Sequence, residues 1–152
     1  MRIEGTFPVS AGRERVWSMI HDCAVMAACL PGCDSAEQLG PSSYRVVVSV
    51  KVGPIKARFT LLVEITASER PAQLQCRTRG EEGSRASQVS ADSTLRLEEI
   101  SADETELTYS SEVSVTGRLG KFGLGVMRKK ADQIAADFAK ALQARVLAEP
   151  VE

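Results

Sequence analysis

At 152 residues, with 26% charged side chains and a formal net charge of -1, the chain has the size of one domain with an adequate core. The near-balance of charge offers no support for a nucleic-acid partner and argues against generic attraction to anionic lipid, leaving a local basic patch around Lys51, Lys56 and Arg58. No signal-like apolar run opens the chain and no stretch reaches the roughly 18 apolar residues of a membrane span, so a cytoplasmic setting is expected, in which the cysteines need not form a disulfide framework.

Ile3 to Val9 reads as a short strand, followed by Ser10 as a helix N-cap with Glu14 in the first turn and Val16, Trp17 and Ile20 on one helical face. A second short helix is expected over Cys23 to Cys29, stopped by Pro31-Gly32. Tyr44, Val46, Val48, Val50 and Val52 then alternate with Arg45, Ser49 and Lys51. Beyond Gly53-Pro54, Ile55, Ala57, Phe59, Leu61, Val63 and Ile65 alternate with Lys56, Arg58, Thr60, Glu64 and Thr66. This is an antiparallel hairpin with one wide apolar face and one charged face.

Pro71 starts a turn, and Leu74, Cys76 and Thr78 alternate with Gln73, Gln75, Arg77 and Arg79 in a further strand. Gly80-Glu81-Glu82-Gly83 reads as the next turn. Strands follow over Ser87 to Leu97 and Leu107 to Val115, separated by Ser101 to Glu104; the stretch from Ser84 to Ser93, poor in large side chains, is expected at an edge or facing an open cavity. From about Gly125 to Leu147 the period changes to 3.6, with Met127, Ala131, Ile134, Ala135, Phe138 and Leu142 on one face. Gly117, Gly120, Gly123 and Gly125 precede this helix, and two readings stay open for them: a flexible portal, or ordinary glycine turns.

No catalytic constellation emerges. His21 is the sole histidine and reads as a surface or capping residue at a helix end. Cys29 and Cys33 are spaced too widely for a C-x-x-C pair and lack a second pair of metal ligands, so no metal is expected. The glycines from Gly117 to Gly125 match neither a dinucleotide fingerprint nor a phosphate loop. Glu81-Glu82 and Glu98-Glu99 read as solvated pairs at turns or strand ends, and Arg58, Arg77 and Arg79 as outward-facing residues of a charged sheet face.

Read as a whole, the sequence resembles the CoxG family of carbon monoxide dehydrogenase subunits, within the START-like and polyketide-cyclase-like helix-grip superfamily. The resemblance covers roughly Met1 to Leu147, leaving residues 148–152 as a short tail. It rests on Arg15-Val16-Trp17, Leu30-Pro31-Gly32-Cys33, Lys51-Val52-Gly53-Pro54-Ile55-Lys56-Ala57-Arg58-Phe59, Leu119-Gly120 and Arg128-Lys129-Lys130-Ala131-Asp132-Gln133.

The resemblance implies an α+β helix-grip fold: a seven-stranded antiparallel sheet wrapped around a long C-terminal helix, two short helices after the first strand, and an apolar tunnel. It also implies an accessory role beside a molybdenum hydroxylase of the carbon monoxide dehydrogenase type, binding menaquinone, ubiquinone or another isoprenoid lipid without a covalent cofactor. Longer members continue into a linker and a membrane-associated segment, whereas this chain stops at residues 148–152, so stable self-anchoring is not expected, and transient contact with the inner face of the cytoplasmic membrane stays compatible with the resemblance.

The expected mechanism is non-covalent sequestration of an apolar molecule. Candidate lining residues are Trp17, Leu30, Phe59, Val63, Tyr109, Phe122, Met127, Ile134 and Phe138, with Tyr109, Thr78 or Ser111 orienting a ligand carbonyl. Pro31, Gly32, Lys51, Lys56 and Arg58 are candidate partner contacts. The alternatives are a ligand-free assembly factor with a packed interior, and a cyclase or hydratase, for which the inward runs Val46-Val48-Val50 and Phe59-Leu61-Val63 supply no acid or base.

Overall fold

Period-two alternation builds a seven-stranded, wholly antiparallel sheet in the order β1-β7-β6-β5-β4-β3-β2. The computed structural model describes residues 1–83 and 85–148. Its strands are β1 (Arg2–Val9), β2 (Cys33–Gly40), β3 (Ser43–Val52), β4 (Ile55–Glu69), β5 (Gln73–Glu82), β6 (Ser87–Ser101) and β7 (Glu104–Gly117). Helices α1 (Arg13–His21) and α2 (Cys23–Cys29) carry the chain from the β1 edge to the opposite edge, and α3 (Leu124–Ala148) follows a 3₁₀ turn at Gly120–Phe122. Of the expected tail, residues 148–152, Ala148 is the last residue of α3, and residues 149–152 lie outside the described residues, as does Ser84.

The long hairpin pairs as its pattern predicts, with Val48 opposite Phe59, Val50 opposite Ala57 and Val52 opposite Ile55 around Gly53, whose φ is 56°. Strand β2 is different, since Ala36 and Leu39 are its only aliphatic residues after Cys33. It forms by pairing with β3, Ala36 opposite Val46 and Gln38 opposite Tyr44, with irregular register at both ends.

Two local expectations are corrected and a third is resolved between its alternatives. Ser10 does not cap α1, which begins after Gly12 without a side-chain cap. Instead the Ser10 amide donates to Gln143 Oε1 at 2.9 Å and its hydroxyl accepts from Gln143 Nε2 at 2.6 Å, so a distant helix captures the capping group. The side-chain cap forms at α2, where Asp22 Oδ1 accepts from the amides of Ala24 and Val25 at 2.9 and 3.4 Å. Second, Gly80 to Glu82 continue β5, with Gly80 opposite Leu61 and Glu82 opposite Phe59. A Cβ at Gly80 would sit 3.1 Å from the Leu61 Cα, so this glycine serves strand approach rather than a turn. For the stretch before Ser93, expected at an edge or facing an open cavity, the second placement holds: β6 is central, and Ala91 and Ser93 share its inward face with Val89 and Leu95, leaving room beneath α3.

Two packed clusters lie at opposite ends of the sheet-helix space. One joins Val9, Val16, Trp17, Val25, Leu107, Leu142 and Val146 under α1 and α2. The other joins Val48, Val52, Ala57, Phe59 and Leu119 at the hairpin end. Burial of such side chains supplies about 25 cal/mol per Å² of apolar area, which makes each cluster a firm plug.

Candidate functional site

Between the two plugs, inward-facing apolar residues are only half-buried. On β3 and β4 these are Val46, Val50, Leu61 and Val63; on α3 they are Met127, Ala131, Ile134, Ala135 and Phe138. A stripe facing a sheet yet not buried by it borders open space.

That space has three adjoining lobes. Under α1 and α2 a lobe of about 190 Å³ is walled by Met26, Leu30, Val46, Val63, Ile65 and Leu95 with His21, Cys23, Tyr44 and Cys76. A central lobe of about 400 Å³ lies between Phe7, Tyr109, Ser111 and Val113 on the sheet and Ile134, Ala135 and Phe138 on α3; it shares Leu30 and Leu95 with the first. Toward the hairpin a lobe of about 180 Å³ is walled by Val48, Val50, Phe59, Leu61, Thr78, Val89 and Met127, and shares Ile3, Val113, Ala131 and Ile134 with the central one. The walls are almost entirely aliphatic and aromatic. Phe7 forms the centre of an aromatic group, its ring centroid 6.4 Å from both Tyr109 and Phe138.

Few polar groups reach these walls, and Lys130, at the rim of the hairpin-side lobe, is the lysine among them. His21 is stacked on Trp17 with centroids 4.8 Å apart, and its Nδ1 lies 2.7 Å from the Trp17 carbonyl oxygen. A carbonyl only accepts, so Nδ1 carries a proton and donates it. His21 thus bonds a last-turn carbonyl at the end of α1, as a capping residue would, and also lines the narrow lobe. Burial raises the Cys76 thiol, reinforced by Asp92, and burial raises Cys23, reinforced by Asp22 and Glu37; neither is a ready thiolate. The Tyr44 and Tyr109 hydroxyls are also raised, chiefly by burial, with smaller contributions from Cys23 and Asp132 respectively. Ser111 shares a 2.7 Å hydrogen bond with Ser93. Among the described residues, no group of three or more His, Cys, Asp or Glu converges to hold a metal ion.

Of the residues expected at the lining, Leu30, Phe59, Val63, Tyr109, Met127, Ile134 and Phe138 border the lobes, as do Thr78 and Ser111. Trp17 instead sits in the plug beneath α1, where it is 5% exposed. Phe122 packs on the hairpin plug and over Gly53. Alternation could not separate lining from plug, because both need inward apolar residues. Ala36, Ile65, Leu74 and Leu95 belong to the walls on the same inward register, with no sequence signal that sets them apart from core.

The candidate partner residues occupy one region. Gly32, with φ 74°, is held against the Ser49 carbonyl, and the Ser49 hydroxyl donates to Asp34 at 2.9 Å. Asp34 also lies 3.4 Å from Arg58. Lys51 and Lys56 stand opposite each other near the hairpin tip. At the same end, Glu82 and Arg118 form an ion pair that no sequence spacing announces. Glu82 is not a solvated turn carboxylate; it lies inside the sheet end, and the Arg118 guanidinium holds its carboxyl below the usual range, aided by the Ser87 hydroxyl.

The likenesses to known structures are of the whole chain. A conserved protein from Geobacillus kaustophilus superposes with a TM-score of 0.89 at 24% identity, over 97% of this chain and 96% of that one. A START superfamily protein from Mycobacterium smegmatis gives 0.77 at 18% identity, over 97% of each chain. The Zhui aromatase/cyclase from a Streptomyces species gives 0.70 at 16%, over 95% of this chain and 92% of that one. These similarities establish the expected helix-grip fold. No curated protein matches the sequence significantly. The sequence profile of the carbon monoxide dehydrogenase subunits termed CoxG matches residues 5–147, and with the seven-stranded grip around α3 this places the chain in the CoxG family.

Proposed function

We propose that this protein is a non-catalytic carrier of an apolar ligand, a quinone or other isoprenoid lipid, and an accessory to a molybdenum-dependent enzyme of the carbon monoxide dehydrogenase type that it brings to the membrane. The observation that carries the reading is the three-lobed apolar space between two packed plugs. Its extended shape suits a ring with an isoprenoid tail, with the ring beside Phe7, Tyr109 and Phe138. Burial of such a ligand supplies the affinity, less the cost of ordering it. The family assignment supports the enzyme partner.

Native mass spectrometry of the purified protein, followed by organic extraction, tests the carrier role. The expected result is a stoichiometric quinone or isoprenoid. Repeatedly empty protein that takes up no supplied quinone overturns the reading in favour of an assembly factor.

A cyclase-type activity has one observation behind it: His21, Tyr44 and Cys23 border the same narrow lobe. Turnover of a poly-β-keto substrate that disappears in His21→Ala would favour it; the raised thiols and the lack of an acid on the inward β3 and β4 runs weigh against it.

A further inference from the structure

The near-zero net charge conceals a strong segregation. Residues 113–131 contain Arg118, Lys121, Arg128, Lys129 and Lys130 and no acid, and residues 44–63 contain Arg45, Lys51, Lys56 and Arg58 and no acid. The two segments meet at one end of the molecule. Arg118 Nη2 lies 3.4 Å from the Lys56 carbonyl oxygen, and a Cβ on Gly53 would touch Phe122 at 3.3 Å.

Arg45, Arg58 and Arg118 are neutralised by Glu37, Asp34 and Glu82. Among the described residues no lysine forms an ion pair, and Lys51, Lys56, Lys121 and Lys129 are exposed. Leu124 is 70% exposed and Val126 45% exposed in the first turn of α3, amid these cations.

Two local rules are broken here, both toward excess positive charge. Lys51 and Lys56 occupy directly opposed positions across the hairpin, where like charges repel. Arg128, Lys129 and Lys130 follow closely on the positive end of α3, whose first turn has no acidic residue to offset the helix dipole. Arg128 serves the fold by donating from Nη1 to the Arg2 carbonyl oxygen at 2.6 Å. Among the described residues no ion pair offsets Lys51, Lys56 or Lys129, and an external polyanion relieves their repulsion.

We propose that this end, formed by the β3–β4 tip and the start of α3, docks on an anionic lipid surface, with Leu124 and Val126 entering the headgroup boundary and Lys51, Lys56, Lys121 and Lys129 meeting lipid phosphates. Exposed aliphatic side chains lying between Lys121 and Lys129 in the chain, at the end that carries Lys51 and Lys56, suit a lipid interface, which offers both an apolar layer and phosphates. The lobe bordered by Val50, Met127 and Lys130 lies at the same end, so cargo leaving it would enter the bilayer directly. This deepens the membrane half of the proposed function and does not depend on what fills the cavity.

Co-sedimentation with vesicles tests it. Wild-type protein is expected to bind phosphatidylcholine vesicles containing 30% phosphatidylglycerol, to bind pure phosphatidylcholine at least tenfold more weakly, and to be released by 0.5 M NaCl. Each lysine is worth roughly fivefold in partitioning. The variant Lys51→Glu/Lys56→Glu/Lys121→Glu and, separately, Leu124→Asp are therefore each expected to lose at least tenfold, while Lys140→Glu farther along α3 binds as wild type. Circular dichroism melting confirms that each variant is folded.

Failure to bind the anionic vesicles, or wild-type binding by both interface variants, overturns the proposal. If these variants leave vesicle binding unchanged but abolish capture of the purified partner enzyme, the surface is a protein interface and the lipid assignment is overturned. Cargo extracted from wild-type protein is measured separately, so failure of lipid docking is distinguishable from failure of the carrier reading.

Discussion

Arg118 grips Glu82 with two hydrogen bonds, Nη2 to Oε2 at 2.6 Å and Nε to Oε1 at 3.0 Å, while the Glu82 side chain keeps only 5% of its exposure. The pair ties the end of β5 to the segment leaving β7, and Ser87 strengthens the junction by accepting the Leu119 amide at 3.1 Å. The arginine holds the folded-state carboxyl below the unfolded value of about 4.3. Its stabilisation is therefore present above pH ~4.3 and is lost as pH falls through the lower folded value. Urea melts from pH 6 to pH 3 are expected to show an acid-side decline that is shallower in Glu82→Gln, which begins less stable at pH 6. Parallel curves for the two proteins would remove Glu82 from the acid transition.

Filling the central lobe separates a cavity from a core. Ala135→Phe places a ring where there is free space between Phe138 and the sheet. Quinone uptake, followed by tryptophan quenching or native mass spectrometry, is expected to fall at least tenfold with the melting temperature held or raised. A fall in melting temperature of several degrees would instead mean that the site is already packed.

Plug and lining residues differ in what their truncation costs. Leu142 is fully buried, and Leu142→Ala is expected to cost about 2–5 kcal/mol in chemical denaturation. Phe138 is half-buried beside the lobe, so Phe138→Ala loses roughly half as much stability per unit area removed but weakens ligand binding several-fold. Equal losses of stability, with binding intact in both, would contradict the division.

Gly117, at the end of β7, and Gly125, in the first turn of α3, have opposite roles. Gly117 has φ 85°, and a Cβ there would lie 2.8 Å from the Ser87 Cα. Gly117→Ala is expected to destabilise by about 1–3 kcal/mol. Gly125, in the first turn of α3 with no heavy atom within 4 Å of an added Cβ, accepts alanine with a gain of about 0.5–1 kcal/mol. Equilibrium melts of the two variants shifting in the same direction would show that local backbone freedom is not what distinguishes them.

Elements with their own periodicity are legible in the amino-acid sequence. The β3–β4 hairpin alternates over most of its length, α2 spans Cys23–Cys29 as expected, and the apolar stripe of α3 faces the sheet as its 3.6 period requires. In those segments the residues facing inward follow from backbone geometry, since side chains alternate on a strand and recur every third or fourth residue on a helix.

The features that periodicity does not reveal depend on partners remote in the chain. Strand β2 needs the edge of β3, Ser10 is taken by Gln143, and Glu82 is buried only because Arg118 arrives from the far end of β7. Trp17 and Phe138 are both inward apolar residues, yet one closes a plug and the other borders open space. Alternation and helical period determined which way each residue faces and hence the grip itself. Only the tertiary structure decided how much room remains between the faces and which charges go unpaired, because both depend on distances between segments far apart in sequence.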